Sequence, residues 1–423
     1  MGAALRGLTT RGRSFLAAGA AAGLAAVVLG ERDLLRVAAL LVVLPLLAAW
    51  YVSRARHRLG TRRVLEPPVA PAGTPTRVHL HLHNDTRLPT GTLMLEETLP
   101  PLLGGVPRLV LERLGPDRSS TVAYTVRPEH RGRYPIGPLR VRLTDPFGLC
   151  RLEGGFSGVD PLTVVPRVET LPRTRLHAAH AGSGDGRGRS AATQGEDDTA
   201  TREYRHGDDL RRIHWRSTAR TGELMVRREE QPWERRATVL LDNRAGAHLG
   251  GAADGTLEWA VAAAASLTVH LRRGGHTVRL VCAPADVAGP GAPPVDIAVG
   301  DAAGEAAALR ALADVEPRRG GDLGPLVAPA RRSGGAGLTV AVLGRCDAAA
   351  AGHLLALPGR RAGVALVPDA GWPRPPGTGD PDAGVALLRR AGWQVRGYAP
   401  GQPLAPLWAS LAAPAVAAAG GPR

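Results

Sequence analysis

At 423 residues the chain is too long for one ordinary domain, and 44% hydrophobic content suffices for at least two buried cores. Its net charge of +15 suggests a polyanion partner, but residues 1–63 hold ten Arg against two acids, leaving 43 Arg against 36 acids for the other 360 residues. More than half of the excess thus flanks apolar segments, where it reports topology. With aromatic content of only 4%, this argues against nucleic acid as a partner.

Two apolar stretches open the chain. Ser14–Gly30 is free of charge, and Val37–Val52 follows Glu31, Arg32, Asp33 and Arg36. Each approaches the ~17–25 residues of a membrane-spanning helix. The first is rich in Ala and Gly, a composition suited to close helix–helix packing. Arg6, Arg11 and Arg13 precede the pair, and Arg54, Arg56, Arg58, Arg62 and Arg63 follow it. Residues 1–63 are therefore expected to form a transmembrane helical hairpin in the cell membrane, multi-pass, lipid-contacting and with both termini cytoplasmic. Trp50 and Tyr51 stand where an interfacial aromatic belt is expected. The competing reading is a cleaved signal over residues 1–30, which leaves one span and the same Arg cluster holding the remainder inside.

Residues 64–170 alternate with period two. Val78, Leu80 and Leu82 alternate with His79, His81 and His83; Leu139, Val141 and Leu143 alternate with Arg140 and Arg142. Short half-buried strands joined by turns predict a β-sandwich, immunoglobulin-like in architecture. The three His share one strand face without a matching acid or Cys cluster, so a solvated face is expected rather than a metal site. Cys150, Cys282 and Cys346 are scattered in apolar runs and read as small buried hydrophobes.

Residues 171–198, with Gly182-Ser-Gly-Asp-Gly-Arg-Gly188, read as a flexible linker. A charged block then occupies 199–236. Thr201–Glu230 holds eight Arg and six acids. This near-balance favours internal Arg–carboxylate bonding, with Tyr204, Ile213 and Trp215 pinning the block to a core; partner docking is the second reading and catalysis the third. His206 and His214 are candidate bases by residue type only.

Beyond it, Ala237–Asp242, Thr277–Cys282, Leu338–Leu343, Gly363–Val367 and Trp393–Gly397 read as near-continuous apolar strands. Helices are expected at Thr256–Arg273, Ala302–Asp314, Leu323–Arg331, Asp347–Leu355 and Ala383–Ala391. Such alternation predicts a doubly wound α/β domain over 237–400 with a doubly covered parallel sheet. A C-terminal helix and tail are expected over 401–423.

The charged block resembles the signature of the domain-of-unknown-function 58 family, through Arg202, Glu203, Tyr204, Gly207, Asp208, Asp209, Arg211, Arg212, Ile213, Trp215, Ala219, Arg220, Leu224, Val226, Arg227 or Arg228, and Glu229. His130–Leu139 and Thr144–Leu149 are similar to that family's other recurring segment. The resemblance implies a von Willebrand factor A-like C-terminal domain. It also implies a cytoplasmic protein partner, a MoxR-type AAA+ ATPase. Such domains carry a metal-ion-dependent adhesion site, Asp-x-Ser-x-Ser, after the first strand. Here the segment is Asp242-Asn-Arg-Ala-Gly246, so Asp242 is only a remnant and no metal or other cofactor is expected. The leading functional expectation is a membrane-tethered, non-enzymatic scaffold. The alternative is an enzyme using the Arg/Asp-rich block on a phosphorylated or lipid-linked substrate.

Overall fold

The computed structural model describes residues 7–56, 59–87, 89–90, 92–145, 147–174, 201–204, 213, 215–227, 236–251, 254–284, 292–320, 322–332, 337–357, 363–373 and 382–411. Two compact units result: Met1–Val168 with Ala306–Val315, and Glu169–Glu305 with Glu316–Arg423.

The first unit opens with helices α1 (Thr10–Leu29) and α2 (Arg32–Arg56). The Thr9 hydroxyl caps α1 by accepting the Gly12 N–H. The apolar stretches Thr10–Leu29 and Arg32–Val52 are long and apolar enough to cross a membrane. They pack against each other through small residues. A Cβ on Gly19 would stand 2.7 Å from Val42 Cγ2.

Both ends of the hairpin are stitched to the strands that follow. Thr9 N–H donates to the Leu149 carbonyl (2.9 Å), and Arg151 N–H donates to Gly7 (2.7 Å). The Asp145 carboxylate shapes this turn by accepting the Phe147 and Cys150 N–H groups. At the other end Ala48, Ala49 and Val52 belong to the apolar cluster of the strands. One face of the last turn of the second apolar stretch is thus buried in protein, while Trp50 on it is 51% exposed. A sequence cannot distinguish that environment from lipid.

Ten strands follow: β1 (Leu59–Glu66), β2 (Val69–Pro71), β3 (Thr76–Asn84), β4 (Thr92–Glu97), β5 (Arg108–Leu111), β6 (Ser119–Val126), β7 (Gly132–Ile136), β8 (Leu139–Thr144), β9 (Arg151–Phe156) and β10 (Asp160–Val165). They form three sheets, ordered β1-β3-β6, β2-β10-β7 and β5-β4-β8-β9. The expected alternation along β3 is present, with Val78, Leu80 and Leu82 buried. On its other face, His81 and His83 hydrogen-bond Thr121 and Ser119 across the ladder (both 2.8 Å).

Two features depart from expectation. The strands begin at Leu59, ahead of Val64. Arg63, expected beside the membrane, instead sits inside this unit. It binds Glu97 (2.6 Å) and Asp160 (2.5 Å), and its side chain is only 6% exposed. Glu97 lies on β4 and Asp160 on β10, so one guanidinium ties all three sheets together.

In the second unit, β11 (Thr201–Glu203), α3 (Trp215–Thr221) and β12 (Met225–Arg227) precede a six-stranded sheet, whose order with strands numbered along the chain is β15-β14-β13-β16-β17-β18. Its strands are β13 (Arg236–Leu241), β14 (Thr277–Cys282), β15 (Val295–Val299), β16 (Leu338–Val342), β17 (Gly363–Pro368) and β18 (Gln394–Tyr398). Five are parallel and β15 is antiparallel at one edge. That edge strand is absent from the sequence expectation of a wholly parallel sheet; five residues after a Gly/Pro-rich run give too little periodicity to read. Helices α6 (Gly324–Arg332), α7 (Ala348–Leu355) and α8 (Asp382–Arg390) share one apolar cluster with Leu240, Val281, Ala341 and Ala365 of the sheet. Helix α4 (Thr256–Arg273) packs on β13, β14 and β16 and contributes nothing to that cluster, so it covers the opposite face. Helix α5 (Ala302–Ala313) follows β15. The C-terminal helix α9 (Leu404–Ala409) belongs to this unit: Leu404, Leu407 and Trp408 are buried, and the Glu169 carboxylate accepts the N–H groups of Leu404 and Ala405. The expected linker therefore starts later than 171, since Leu171 is buried; its remainder lies outside the described residues.

Candidate functional site

The charged block is described in part. Arg202 and Glu203 lie on β11 (Thr201–Glu203), which pairs antiparallel with β12 (Met225–Arg227). The half-buried Tyr204 donates its N–H to the Leu224 carbonyl (2.8 Å). Helix α3 (Trp215–Thr221) sits between the strands and is fastened by Thr218 Oγ1, which accepts the Met225 N–H (3.0 Å). Ile213 bridges to Val226. Trp215, expected to pin the block to a core, is 69% exposed, and Arg220 is exposed at the end of α3. Gly207, Asp208, Asp209, Arg211 and Arg212 lie outside the described residues, as do His206 and His214.

The His130–Leu139 segment acts at a helix end. Arg131 donates to the carbonyl of Leu312 (3.0 Å) and to that of Val315, and Arg133 binds both oxygens of Asp314 (2.7 and 2.5 Å). Residues 306–315 belong to the same compact unit, and cations suit the carbonyl end of α5.

In open α/β sheets, ligands meet the carboxyl ends of the strands where strand order reverses. Here the reversal falls between β13 and β16. The β13 end carries Asp242, Asn243 and Arg244. Asp242 is fully buried. Arg244 holds both its oxygens, Nε to Oδ1 at 2.9 Å and a terminal nitrogen to Oδ2 at 2.8 Å. The guanidinium lies where a cation would otherwise meet the carboxylate. Among the described residues, no group of three His, Cys, Asp or Glu side chains is placed to hold a metal. Asn243 spans the loop, donating to the carbonyls of Ala283 and Glu316 and accepting the Ala283 N–H. His248 bridges the Asp242 carbonyl (2.6 Å) and the Thr256 hydroxyl (2.9 Å). Burial lowers its pKa from the usual range, so the ring is neutral at pH 7. Tyr398 stacks on Trp259 at 3.8 Å and donates its hydroxyl proton to the Leu343 carbonyl.

Beside this filled crevice, over β16 to β18, lies an open cleft of about 410 Å³. Its apolar wall includes Leu249, Val367 and Val385, and its polar groups include Arg345, Asp369 and Arg389. Cys346 also lines it, its thiol pushed up to about 12 by burial and so held neutral. Nothing in the sequence flagged this cleft, because its residues come from separate segments.

Residues 200–336 match the model of a family described as "Protein of unknown function DUF58". The match supports that family. It spans the β11–α3–β12 block and the sheet from β13 through α6, so the matched stretch contains the Asp242–Arg244 loop. No curated protein matches the chain. Among solved structures, the CARDB domain of a Pyrococcus furiosus protein in complex with di-metal ions aligns at 15% identity. It covers 26% of this chain and 94% of that one, with a TM-score of 0.20. The alkylpurine DNA glycosylase AlkC of Pseudomonas fluorescens, bound to abasic-site DNA, aligns at 15% identity over 30% of this chain and 39% of that one, with a TM-score of 0.16.

Proposed function

We propose that this chain is a membrane-tethered, non-enzymatic scaffold, held by a two-helix anchor with both termini cytoplasmic. It presents an immunoglobulin-like sandwich and a von Willebrand factor A-like domain to protein partners, a MoxR-type AAA+ ATPase among them. The sheet order with one antiparallel edge, helices on both faces and an Asp ending the first strand supports the A-like reading. The observation that carries the non-enzymatic reading is the mutual satisfaction of reactive groups at the sheet's carboxyl edge. Asp242 is neutralised by Arg244, both His248 nitrogens are engaged, and the Cys346 thiol stays protonated. General acid–base or nucleophilic work needs a group with a free valence and a pKa near the working pH. The exposed Trp215 and the half-exposed Leu224 on the block supply the apolar surface that partner contacts favour.

The test is affinity capture of the detergent-solubilised chain from its own membranes, with and without ATP. Retention of an AAA+ ATPase in one nucleotide state, lost with Trp215→Ala, is the expected result. Failure to retain any such ATPase in either state would overturn the reading.

A further inference from the structure

We propose that the cleft over β16, β17 and β18 binds an oxyanion carried on an apolar body, with Arg345 and Arg389 as its recognition pair. This deepens the scaffold reading by naming what the α/β unit grips.

Four observations carry it. The cleft opens at the carboxyl ends of three parallel strands, next to the crevice that Arg244 already fills. Unlike Arg244, neither Arg345 nor Arg389 makes a side-chain hydrogen bond or ion pair among the described residues. Asp369 is the one acid lining the cleft against two guanidiniums, and its Oδ1 is engaged by the Gly371 N–H (2.8 Å). Leu249, Val367 and Val385 are nearly buried and give the cleft an apolar floor.

The walls are held by close backbone contact. A Cβ on Gly384 would stand 2.3 Å from the Cys346 carbonyl oxygen, so α8 lies directly against the loop carrying Arg345. Planar guanidiniums recognise carboxylate and phosphate through paired N–H groups. At about 410 Å³ the cleft falls in the range of small-ligand pockets and has room for the carboxyl-terminal residue of a partner peptide or a small phosphomonoester.

Equilibrium binding to the full-length chain in nanodiscs tests this, with three probes: a peptide ending in Leu with a free carboxylate, the same peptide amidated, and phenyl phosphate. We expect saturable binding of the free-acid peptide, and none of the amide. Arg345→Gln and Arg389→Gln should each weaken it about 10- to 100-fold, the worth of one charge-assisted hydrogen bond. Arg390→Gln removes the same charge outside the cleft and should leave binding unchanged. Saturable binding of phenyl phosphate alone, with the same response to the variants, supports the cleft with a phosphorylated small molecule as its source. Absence of saturable binding by all three probes, or binding indifferent to both cleft variants, overturns it. Capture of an ATPase that persists in Arg345→Gln would spare the scaffold reading and place that contact elsewhere.

Discussion

Each unit buries a bidentate arginine–carboxylate pair, and the two pairs do opposite jobs. Arg63 reaches Glu97, 34 positions along the chain, and Asp160 as well, joining three sheets. Arg244 binds the carboxylate of Asp242, only two positions away, so that ion pair lies within one loop. The long-range pair specifies how the strands assemble. The local pair decides what can occupy the edge of a sheet. Buried charges alone do not reveal which role a pair has; sequence separation and the strands carrying the partners do.

The largest effect separating the two is expected from Arg63→Ala. It strands Glu97, which is 1% exposed and fixed between β5 and β8, and should cost about 3–5 kcal/mol in urea unfolding of the first unit. Arg244→Ala should cost less, about 1–3 kcal/mol, because a loop can shift locally to hydrate Asp242 whereas a strand cannot. Equal costs would remove the distinction. Next is Gly12→Ala, which tests the stitch between hairpin and strands. The added Cβ would meet the Leu149 carbonyl oxygen at 2.2 Å, and over-packing of that kind costs about 1–3 kcal/mol. Hydrogen exchange at Thr9 and Arg151 should rise selectively.

A smaller effect concerns pH at the local pair. The His248 pKa is lowered in the folded chain, so the unfolded chain takes up a proton first as pH falls below about 6.5. Its contribution to stability is complete above that pH and is lost below it. Denaturation midpoints at pH 5 and 7.5 should therefore differ less in His248→Gln than in wild type. The smallest expected signal is kinetic. With their thiols pushed up to about 12, Cys282 and Cys346 should resist alkylation at pH 8 until the second unit unfolds.

Much of the second unit was legible in the sequence, because its helices and buried strands have strong, distinct periods. Thr256–Arg273 and Thr277–Cys282 match their expected spans residue for residue. The β-rich region was legible as strands, but its division into three sheets was not, since pairing partners leave no local mark. Apolarity marked the N-terminal helices equally well where they face protein, so the expected span Val37–Val52 took in Ala48, Ala49 and Val52, which pack on the strands. Arg63 read as one of a flanking cluster because its carboxylates lie 34 and 97 positions away. Trp215 read as an anchor by residue type, yet α3 leaves it in solvent. Of the candidate site, Asp242 and the intruding Arg244 were visible as a motif departure. The cleft was invisible, for it exists only when the ends of β16, β17 and β18 meet α8.

The double stitch of the hairpin has a mechanical consequence. Because Gly7 and Thr9 hold one end and Ala48, Ala49 and Val52 hold the other, the helices cannot part from the strands without breaking both sets of contacts. Were the hairpin to span a bilayer, as proposed above, a change of thickness would be met by a change of helix tilt. Such a tilt would load the Thr9–Leu149 and Arg151–Gly7 hydrogen bonds and the packing of Ala48, Ala49 and Val52 against the strands.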